Sequence, residues 1–180
     1  MHQMGTPPLN KRKVVVRFGT RGFTLIELMI VVAIVAITAA VALPSYLGSI
    51  RKGRRADAIA EVSRVEQAQE RWRANNPTYN NDVSSNATTG LRLASGTTAA
   101  TTYNTPAGYY SVALSGNVAT AYVVTLSAVA GTSQTRDTNC QCMRVSWALG
   151  NATYQAANST TGSCGTVTWT SANAAACWRR

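Results

Sequence analysis

Few side chains in this sequence have the type and spacing that catalysis requires. The only histidine is His2, and beyond residue 75 the carboxylates are reduced to Asp82 and Asp137, too sparse to predict an acid–base pair. No glycine-rich phosphate-binding motif is present. We therefore predict that the protein is not an enzyme and has no catalytic residue, no cofactor and no metal site.

Glu27 is a stronger candidate for a functional residue, because it is the single charge in a long apolar run. Residues 23–43 form a run of 21 residues, which is long enough to cross the hydrocarbon core of a membrane as a helix. A carboxylate in such a segment costs about 2.5–3.5 kcal/mol on insertion scales and usually marks function. If a peptidase cut after Gly22, the new amine of Phe23 could pair with Glu27 of a neighbouring copy. Such a buried pair fixes register more than it adds stability.

Three interpretations of residues 21–46 compete. A secretory signal peptide explains the basic flank, but its apolar region is usually only about 7–15 residues long. An ordinary single-span anchor explains the length and the orientation but leaves Glu27 unexplained. A leader that is cut between Gly22 and Phe23, before the apolar run and not after it, explains the length, the orientation and the carboxylate together.

The net charge of +10 is distributed unevenly along the chain. Five basic residues precede the apolar run: Lys11, Arg12, Lys13, Arg17 and Arg21. Basic residues on one side of a span keep that side in the cytoplasm. A second basic group follows the run: Arg51, Lys52, Arg54 and Arg55. These side chains could meet membrane phosphates, neighbouring subunits or nucleic acid, and a solvated helix face is the simplest interpretation.

The four cysteines all lie in the last quarter of the chain, which this orientation places outside the cytoplasm: Cys140, Cys142, Cys164 and Cys177. An even number of cysteines there favours two disulfides. Their spacing, C-x-C-x21-C-x12-C, lacks the paired knuckles of structural zinc sites. Cys140 and Cys142 are too close along one strand to bridge each other, which leaves two connectivities. Of these we favour Cys140–Cys177 with Cys142–Cys164.

The N-terminal motif resembles that of a known family. The run Gly22-Phe23-Thr24-Leu25-Ile26-Glu27 resembles the G-F-T-L-I-E motif of type IV prepilins, and Pro44-Ser45-Tyr46 resembles the family's P-x-Y segment. The resemblance implies that prepilin peptidase cleaves between Gly22 and Phe23, that Phe23 becomes N-methylated, and that Glu27 docks incoming subunits. The implied leader of 22 residues is longer than most in the family, and Met4 is an alternative start to Met1.

The same resemblance implies partners and a location. The partners are other pilin subunits, the prepilin peptidase and the inner-membrane assembly machinery. The subunit would be held in the bacterial inner membrane by a single span before assembly and would lie in an extracellular pilus filament afterwards. Residues 137–140 and the terminal Cys177-Trp178 resemble the minor pilins of the type IVa group.

The expected fold is α+β, with a long N-terminal helix packed on a four-stranded antiparallel sheet and a disulfide-bounded C-terminal region. We expect a cleaved leader (1–22), a transmembrane or filament-core helix (23–43), the amphipathic half of the helix (44–75) and an extracellular globular domain (76–180). Pro44 is expected to kink or interrupt the helix, and Trp72 to be a core aromatic. Residues 80–107 are expected to form a surface loop with at most one short turn. The strands are expected at 109–114, 121–129, 140–149 and 152–156, with turns at Gly116-Asn117 and Gly150-Asn151.

The predicted function is that of a structural subunit, minor in abundance, of a type IV pilus that serves motility, adhesion or DNA uptake. The alternative is a pseudopilin of a type II secretion system, which shares the N-terminal signal. The clustered cysteines favour a pilin, because the main pseudopilin type resembles a cysteine-free, calcium-binding domain. A nucleic-acid receptor is the third hypothesis. Four arginines expected at the surface permit it (Arg136, Arg144, Arg179 and Arg180), but few aromatic residues are interleaved with them, so DNA stays an unsupported partner.

Overall fold

A computed structural model describes residues 22–86, 88–159 and 163–179. The chain divides into two compact units, Met1–Val41 and Ala42–Arg180. Apart from Gly22, the leader expected at residues 1–22 lies outside the described residues. The elements follow the chain as α1 (Leu25–Arg73), β1 (Thr102–Asn104), β2 (Tyr110–Ser115), β3 (Ala121–Ala128), the short 3₁₀ helix η1 (Ser133–Arg136), β4 (Cys142–Ala148), β5 (Asn151–Ala157) and α2 (Ala174–Trp178).

Helix α1 begins at a threonine cap and ends just before an Asn-Pro pair. Its first part is apolar and long enough to cross a membrane, by length and composition. Pro44 lies inside the helix, so the expected interruption is wrong, and a kink there stays a prediction. At the C-terminal end, the Asn76 side-chain amide donates to the Trp72 carbonyl over 2.9 Å, and Pro77 cannot continue the helix.

The sheet is a meander of five antiparallel strands in the order β1-β2-β3-β4-β5. The expected count of four strands is therefore wrong by one. The additional strand, β1, lies in the segment that was expected to be a loop, where it pairs Thr102 with Ala113 and Asn104 with Ser111. Three residues are too few to show a period in the sequence, so β1 depends on its pairing with β2.

The other four strands lie within two residues of their expected positions. Strand β3 alternates between half-buried and buried residues along its whole length, which is the pattern of a sheet with one covered face. The core contains the buried positions of β2, β3 and β4 together with one face of α1. The face of α1 that contributes apolar residues to this core consists of Ala58, Ile59, Val62, Val65 and Ala68. Trp72 is only partly buried at the edge of this core, so its expected role as a core aromatic is met only in part.

The β4–β5 turn is formed by Leu149 and Gly150, and not by Gly150 and Asn151 as the sequence suggested. Both residues have positive φ angles, 52° for Leu149 and 82° for Gly150. Asn151 is the first residue of β5 and pairs with Ala148. A two-residue hairpin turn of this kind favours Asn-Gly, and leucine is strained in the left-handed region.

We expect Leu149→Asn to raise the free energy of unfolding by about 1 kcal/mol, because asparagine tolerates a positive φ better than leucine does. Leu149 is 78% exposed, so little buried apolar area is lost. The measurement is urea unfolding of the full chain in detergent. Val118→Asn is the matched control, because Val118 is also exposed but does not have a positive φ. An equal effect of both substitutions would contradict the strain at Leu149.

Candidate functional site

The carboxylate that marks the apolar helix lies in the first turn of α1. Thr24 precedes the helix, and its side-chain oxygen accepts a hydrogen bond from the Glu27 backbone amide over 3.3 Å. Thr24-x-x-Glu27 is the spacing of a capping box, a local signal that the sequence interpretation did not use. A carboxylate in this turn is also favoured by the helix dipole. The helix start therefore holds Glu27 near the proposed new N-terminus at Phe23.

The apolar side chains around Glu27 are exposed within their unit. Phe23 is 80% exposed and Leu25 is 76% exposed. None of the 18 residues in the most apolar stretch of the helix is buried. Among the described residues, no side chain pairs with the Glu27 carboxylate. An exposed apolar helix with an unpaired carboxylate is stable only in a lipid or protein environment. That environment has to cover the apolar surface and to compensate the carboxylate.

The polar residue Thr38 in the same helix is satisfied internally. Its hydroxyl donates to the carbonyl of Ile34 over 2.9 Å and to that of Val35 over 3.0 Å. This back-bonding removes the need for a partner from another chain. Thr38 therefore needs no partner outside its own helix, whereas the Glu27 carboxylate does.

A buried ion pair joins α1 to the segment after η1. The Arg55 guanidinium donates to both carboxylate oxygens of Asp137, over 2.6 and 2.5 Å, and to the carbonyl of Ala176. The side chains of Arg55 and Asp137 are 14% and 7% exposed. The side-chain amide of Gln134 donates to Asp137 and to the hydroxyl of Tyr110. One arginine therefore connects the helix, the β3–β4 connection and the C-terminal segment.

The same network perturbs a tyrosine in the core. Tyr110 is almost fully buried, and its hydroxyl donates to the carbonyl of Cys140 over 3.1 Å. Burial, and then the charge of Asp137, raise the pKa of Tyr110. The tyrosine is therefore a structural hydrogen-bond donor and not a titrating group.

A second polar cluster lies on α1 one turn and a half further along. Glu61 accepts a hydrogen bond from the Tyr103 hydroxyl over 2.7 Å. It also forms an ion pair with Arg64 over 2.8 Å. Burial, and then the hydrogen bond to Glu61, raise the pKa of Tyr103. The hydrogen bond between Tyr103 and Glu61 connects β1 to the helix. Tyr103 and Arg64, the two partners of the buried Glu61 carboxylate, therefore have a structural role.

The loop between α1 and β1 is held by side chains and is partly buried. The Gln69 side chain donates to the Asn80 carbonyl over 2.6 Å and accepts from the Asn80 amide over 3.0 Å. Partial burial opposes ionisation of Asp82, but hydrogen bonds from the backbone amides of Ser84 and Ala100 lower the pKa of Asp82. Val83 inserts into the core from this loop, which was expected to lie on the surface.

Two disulfides close the C-terminal region. Cys140 is bonded to Cys177 and Cys142 to Cys164, which is the pairing favoured from the sequence. In both bonds the Cα atoms are 5.6 Å apart, within the usual range for a disulfide. The bonds attach α2 and the segment after β5 to the start of β4. Among the described residues, no three side chains are grouped as metal ligands.

The arginines expected at the surface have different environments. Arg136 and Arg179 are exposed, while Arg180 lies outside the described residues. Arg144 is only half exposed, because its guanidinium lies 4.3 Å from the centre of the Trp169 ring and donates to the Gln155 side chain. Burial also lowers the pKa of Arg144. Arg144 is therefore a structural residue, and its expected place among the exposed arginines is wrong.

Two other arginines share a cavity with an aromatic residue at the end of α1. Arg71, Trp72 and Arg92 line one cavity of about 370 Å³. Arg71 and Arg92 are exposed, and Trp72 is half-buried. The sequence interpretation did not group them, because Arg92 is 21 residues away from Arg71 and lies in the α1–β1 loop.

The fold and the N-terminal site together define a pilin-type protein: an apolar N-terminal helix, an antiparallel sheet packed against the second part of that helix, and a disulfide-closed C-terminal region. Residues 17–43 match the family described as the prokaryotic N-terminal methylation motif. Residues 44–146, more than half of the chain, match the family described as type IV minor pilin ComP, DNA uptake sequence receptor. The chain belongs to this type IV minor pilin family.

Relatives from several bacteria are similar to parts of the chain. It is 50% identical to a fimbrial protein of Pseudomonas aeruginosa over 50 residues, 28% of this chain and 32% of that protein. It is 35% identical to the type IV wide pilus major component PilA4 of Thermus thermophilus over 72 residues, 40% of this chain and 55% of that protein. The type II secretion system core protein G of Pectobacterium carotovorum is 32% identical over 59 residues, 33% of this chain and 38% of that protein. The matched part of the chain thus spans about a third to a half of these relatives.

Proposed function

We propose that this chain is a structural subunit, minor in abundance, of a type IV pilus, and not an enzyme. It is made with a leader (1–22) and held in the inner membrane by residues 23–43, with residues 44–75 as the amphipathic half of the helix and residues 76–180 as the domain outside the cytoplasm. The observation that carries the proposal is the exposed apolar start of α1 with a carboxylate that no described side chain compensates. The match to pilin families supports the same role.

The proposed processing follows from the start of α1. Prepilin peptidase cuts between Gly22 and Phe23, and the new amine of Phe23 is methylated. That amine then approaches Glu27 of a neighbouring subunit when the helices pack in the filament, so each charge compensates the desolvation of the other. The inner-membrane assembly machinery and other pilin subunits are the partners of this step.

Cleavage is tested with a substitution that leaves the fold alone. A Cβ added at Gly22 would meet no atom within 4 Å, so Gly22→Val has no steric effect on the described part of the chain. We expect this variant to remain in the membrane at full length, because the peptidase needs a small residue before the cut. Gly48→Val is the matched control, since Gly48 also has open space and lies beyond the cleavage site. Mass spectrometry of the membrane fraction should find methylated Phe at the N-terminus of the control. A start after Ala40 would contradict the proposal.

The alternative is a pseudopilin of a type II secretion system, and relatives of that kind are similar to part of this chain. The two roles differ in where the processed subunit is found. We expect it in sheared surface filaments, with far fewer copies than the major subunit. Processed protein that is absent from sheared filaments, together with a secretion defect in the deletion strain, would favour the alternative.

DNA uptake is a second candidate function. It is favoured by the match to the family described as type IV minor pilin ComP, DNA uptake sequence receptor. Arg71 and Arg92 line the same cavity as Trp72, and arginine and aromatic side chains are the types that contact phosphates and bases. In the hypothesis of a nucleic-acid receptor, Arg71 and Arg92 therefore take the place of Arg144 as the arginines proposed to contact DNA. Arg136 and Arg179 remain exposed.

We expect the full chain in detergent to bind duplex DNA with an affinity that falls as salt rises. Arg71→Gln with Arg92→Gln should lower the slope of log affinity against log salt by about two, at roughly 0.9 per phosphate contact. Arg136→Gln with Arg179→Gln is the control with the same loss of charge. Equal slopes for the two double variants would contradict an interface at the end of α1.

A further inference from the structure

A group of cations lies just beyond the apolar part of α1. The exposed apolar side chains of the helix end with Leu43, Tyr46 and Leu47. Arg51 and Lys52 follow Leu47 within about one and a half helical turns, a rise of roughly 6–8 Å. The headgroup layer of a bilayer extends about 5–8 Å beyond its hydrocarbon core on each side. The first cations after the apolar segment therefore fall at the depth of lipid phosphates when the apolar segment is in a membrane.

The fold adds a further cation to this region from a distant part of the sequence. The η1 segment lies against the same part of α1, where the Arg54 guanidinium donates to the Ser133 hydroxyl and the Gln134 side chain donates to the Arg51 carbonyl over 3.5 Å. The last residue of η1 is Arg136, which is exposed. We call Arg51, Lys52, Arg54 and Arg136 the basic collar.

Among the described residues, no carboxylate forms an ion pair with a residue of the basic collar. The ion pairs among the described residues are Arg55–Asp137 and Arg64–Glu61, so the carboxylate nearest to Arg136 in sequence is already neutralised. Arg54 lies over the ring of Tyr109, 3.7 Å from its centre. Asp57 is the single carboxylate among residues 48–57, and it is exposed. The collar therefore presents an excess of positive charge.

We propose that the basic collar binds the phosphate groups of anionic phospholipids at the membrane surface while the subunit is stored before assembly. This inference rests on the proposed membrane-held stage of the subunit. Each basic residue near an anionic surface contributes roughly fivefold in affinity, equivalent to about 1 kcal/mol. Tyr46, which is exposed between the apolar run and the collar, has the amphipathic ring typical of a membrane interface. The collar fixes the depth of the stored subunit and releases it when the subunit leaves the bilayer.

The test uses the full chain in vesicles of phosphatidylcholine that contain a trace of spin-labelled lipid. The relative association of labelled phosphatidylglycerol and labelled phosphatidylcholine with the protein is measured by electron paramagnetic resonance. We expect a preference of at least fivefold for phosphatidylglycerol that decreases at high salt, because exposed charges are screened. The collar variant carries Arg51→Gln, Lys52→Gln and Arg136→Gln and retains Arg54 and Arg55, which make structural contacts. Its preference should fall at least fivefold, because three of the four cations of the basic collar are removed.

The matched control carries Arg71→Gln, Arg92→Gln and Arg179→Gln, which remove the same charge from exposed positions elsewhere. It should keep the lipid preference of the unchanged protein. No preference in the unchanged protein, or an equal loss in both variants, would overturn the proposal. A collar variant that loses duplex DNA binding but keeps its lipid preference would assign the collar to nucleic acid instead. Failure of the chain to insert into vesicles would count against the membrane-held stage itself, and it is scored separately by flotation.

Discussion

Glu27→Gln should leave the chain inserted in the membrane and cleaved after Gly22, but should reduce its incorporation into pili at least tenfold. The substitution keeps the shape of the side chain and removes its charge. The helix start should persist, because the bond at this position is made by the Glu27 backbone amide to the Thr24 hydroxyl. In the filament, the amine of a neighbouring Phe23 would then be buried without a counter-charge, which costs several kcal/mol, and about 1.4 kcal/mol already corresponds to tenfold.

The measurement compares the processed subunit in the inner membrane with the subunit in sheared pili, in a strain where the tagged variant is the sole copy. Thr38→Val is the matched control, since it also changes a polar residue of the apolar helix. Its hydroxyl is already bonded to carbonyls of its own helix, so no partner in another subunit is lost. We expect normal incorporation of the control and accumulation of the processed Glu27 variant in the membrane. Normal incorporation of both variants would show that Glu27 is not a docking residue.

Arg55→Met should lower the free energy of unfolding by about 3–5 kcal/mol, the usual cost of leaving one partner of a buried ion pair uncompensated. Asp137 is 7% exposed on its side chain and would keep only the hydrogen bond from Gln134 among its present side-chain donors. The carbonyl of Ala176 would lose its donor as well. The effect should be read from urea unfolding of the full chain in detergent, with the disulfides intact and tryptophan fluorescence as the signal.

A second substitution separates the charge from the packing. Combining Arg55→Met with Asp137→Asn removes the uncompensated carboxylate, so it should recover a large part of the loss. Arg136→Met is the control, because Arg136 is exposed and its replacement should change stability by no more than about 0.5 kcal/mol. If Arg55→Met is no more destabilising than this control, the ion pair does not hold the C-terminal region to α1.

The sequence by itself determined the apolar helix near the N-terminus of this protein. The prepilin-like motif and the apolar run are contiguous, so their chemistry is readable without a fold. The four longer strands were also predictable, because alternation along β3 and its neighbours reflects one covered face of a sheet. The number of cysteines predicted two disulfides, and the closeness of Cys140 to Cys142 left only two ways to pair them.

Only the tertiary structure decided which distant residues meet. Strand β1 is too short to show a period and exists through its pairing with β2. Arg55 and Asp137 are 82 residues apart, and nothing local to either residue identifies the other as its partner. Arg144 appeared available to a ligand until its guanidinium was found against Trp169. Local patterns encode helices, strands and cleavage signals, whereas the pairing of single charges depends on how those elements pack, which no short stretch of sequence contains.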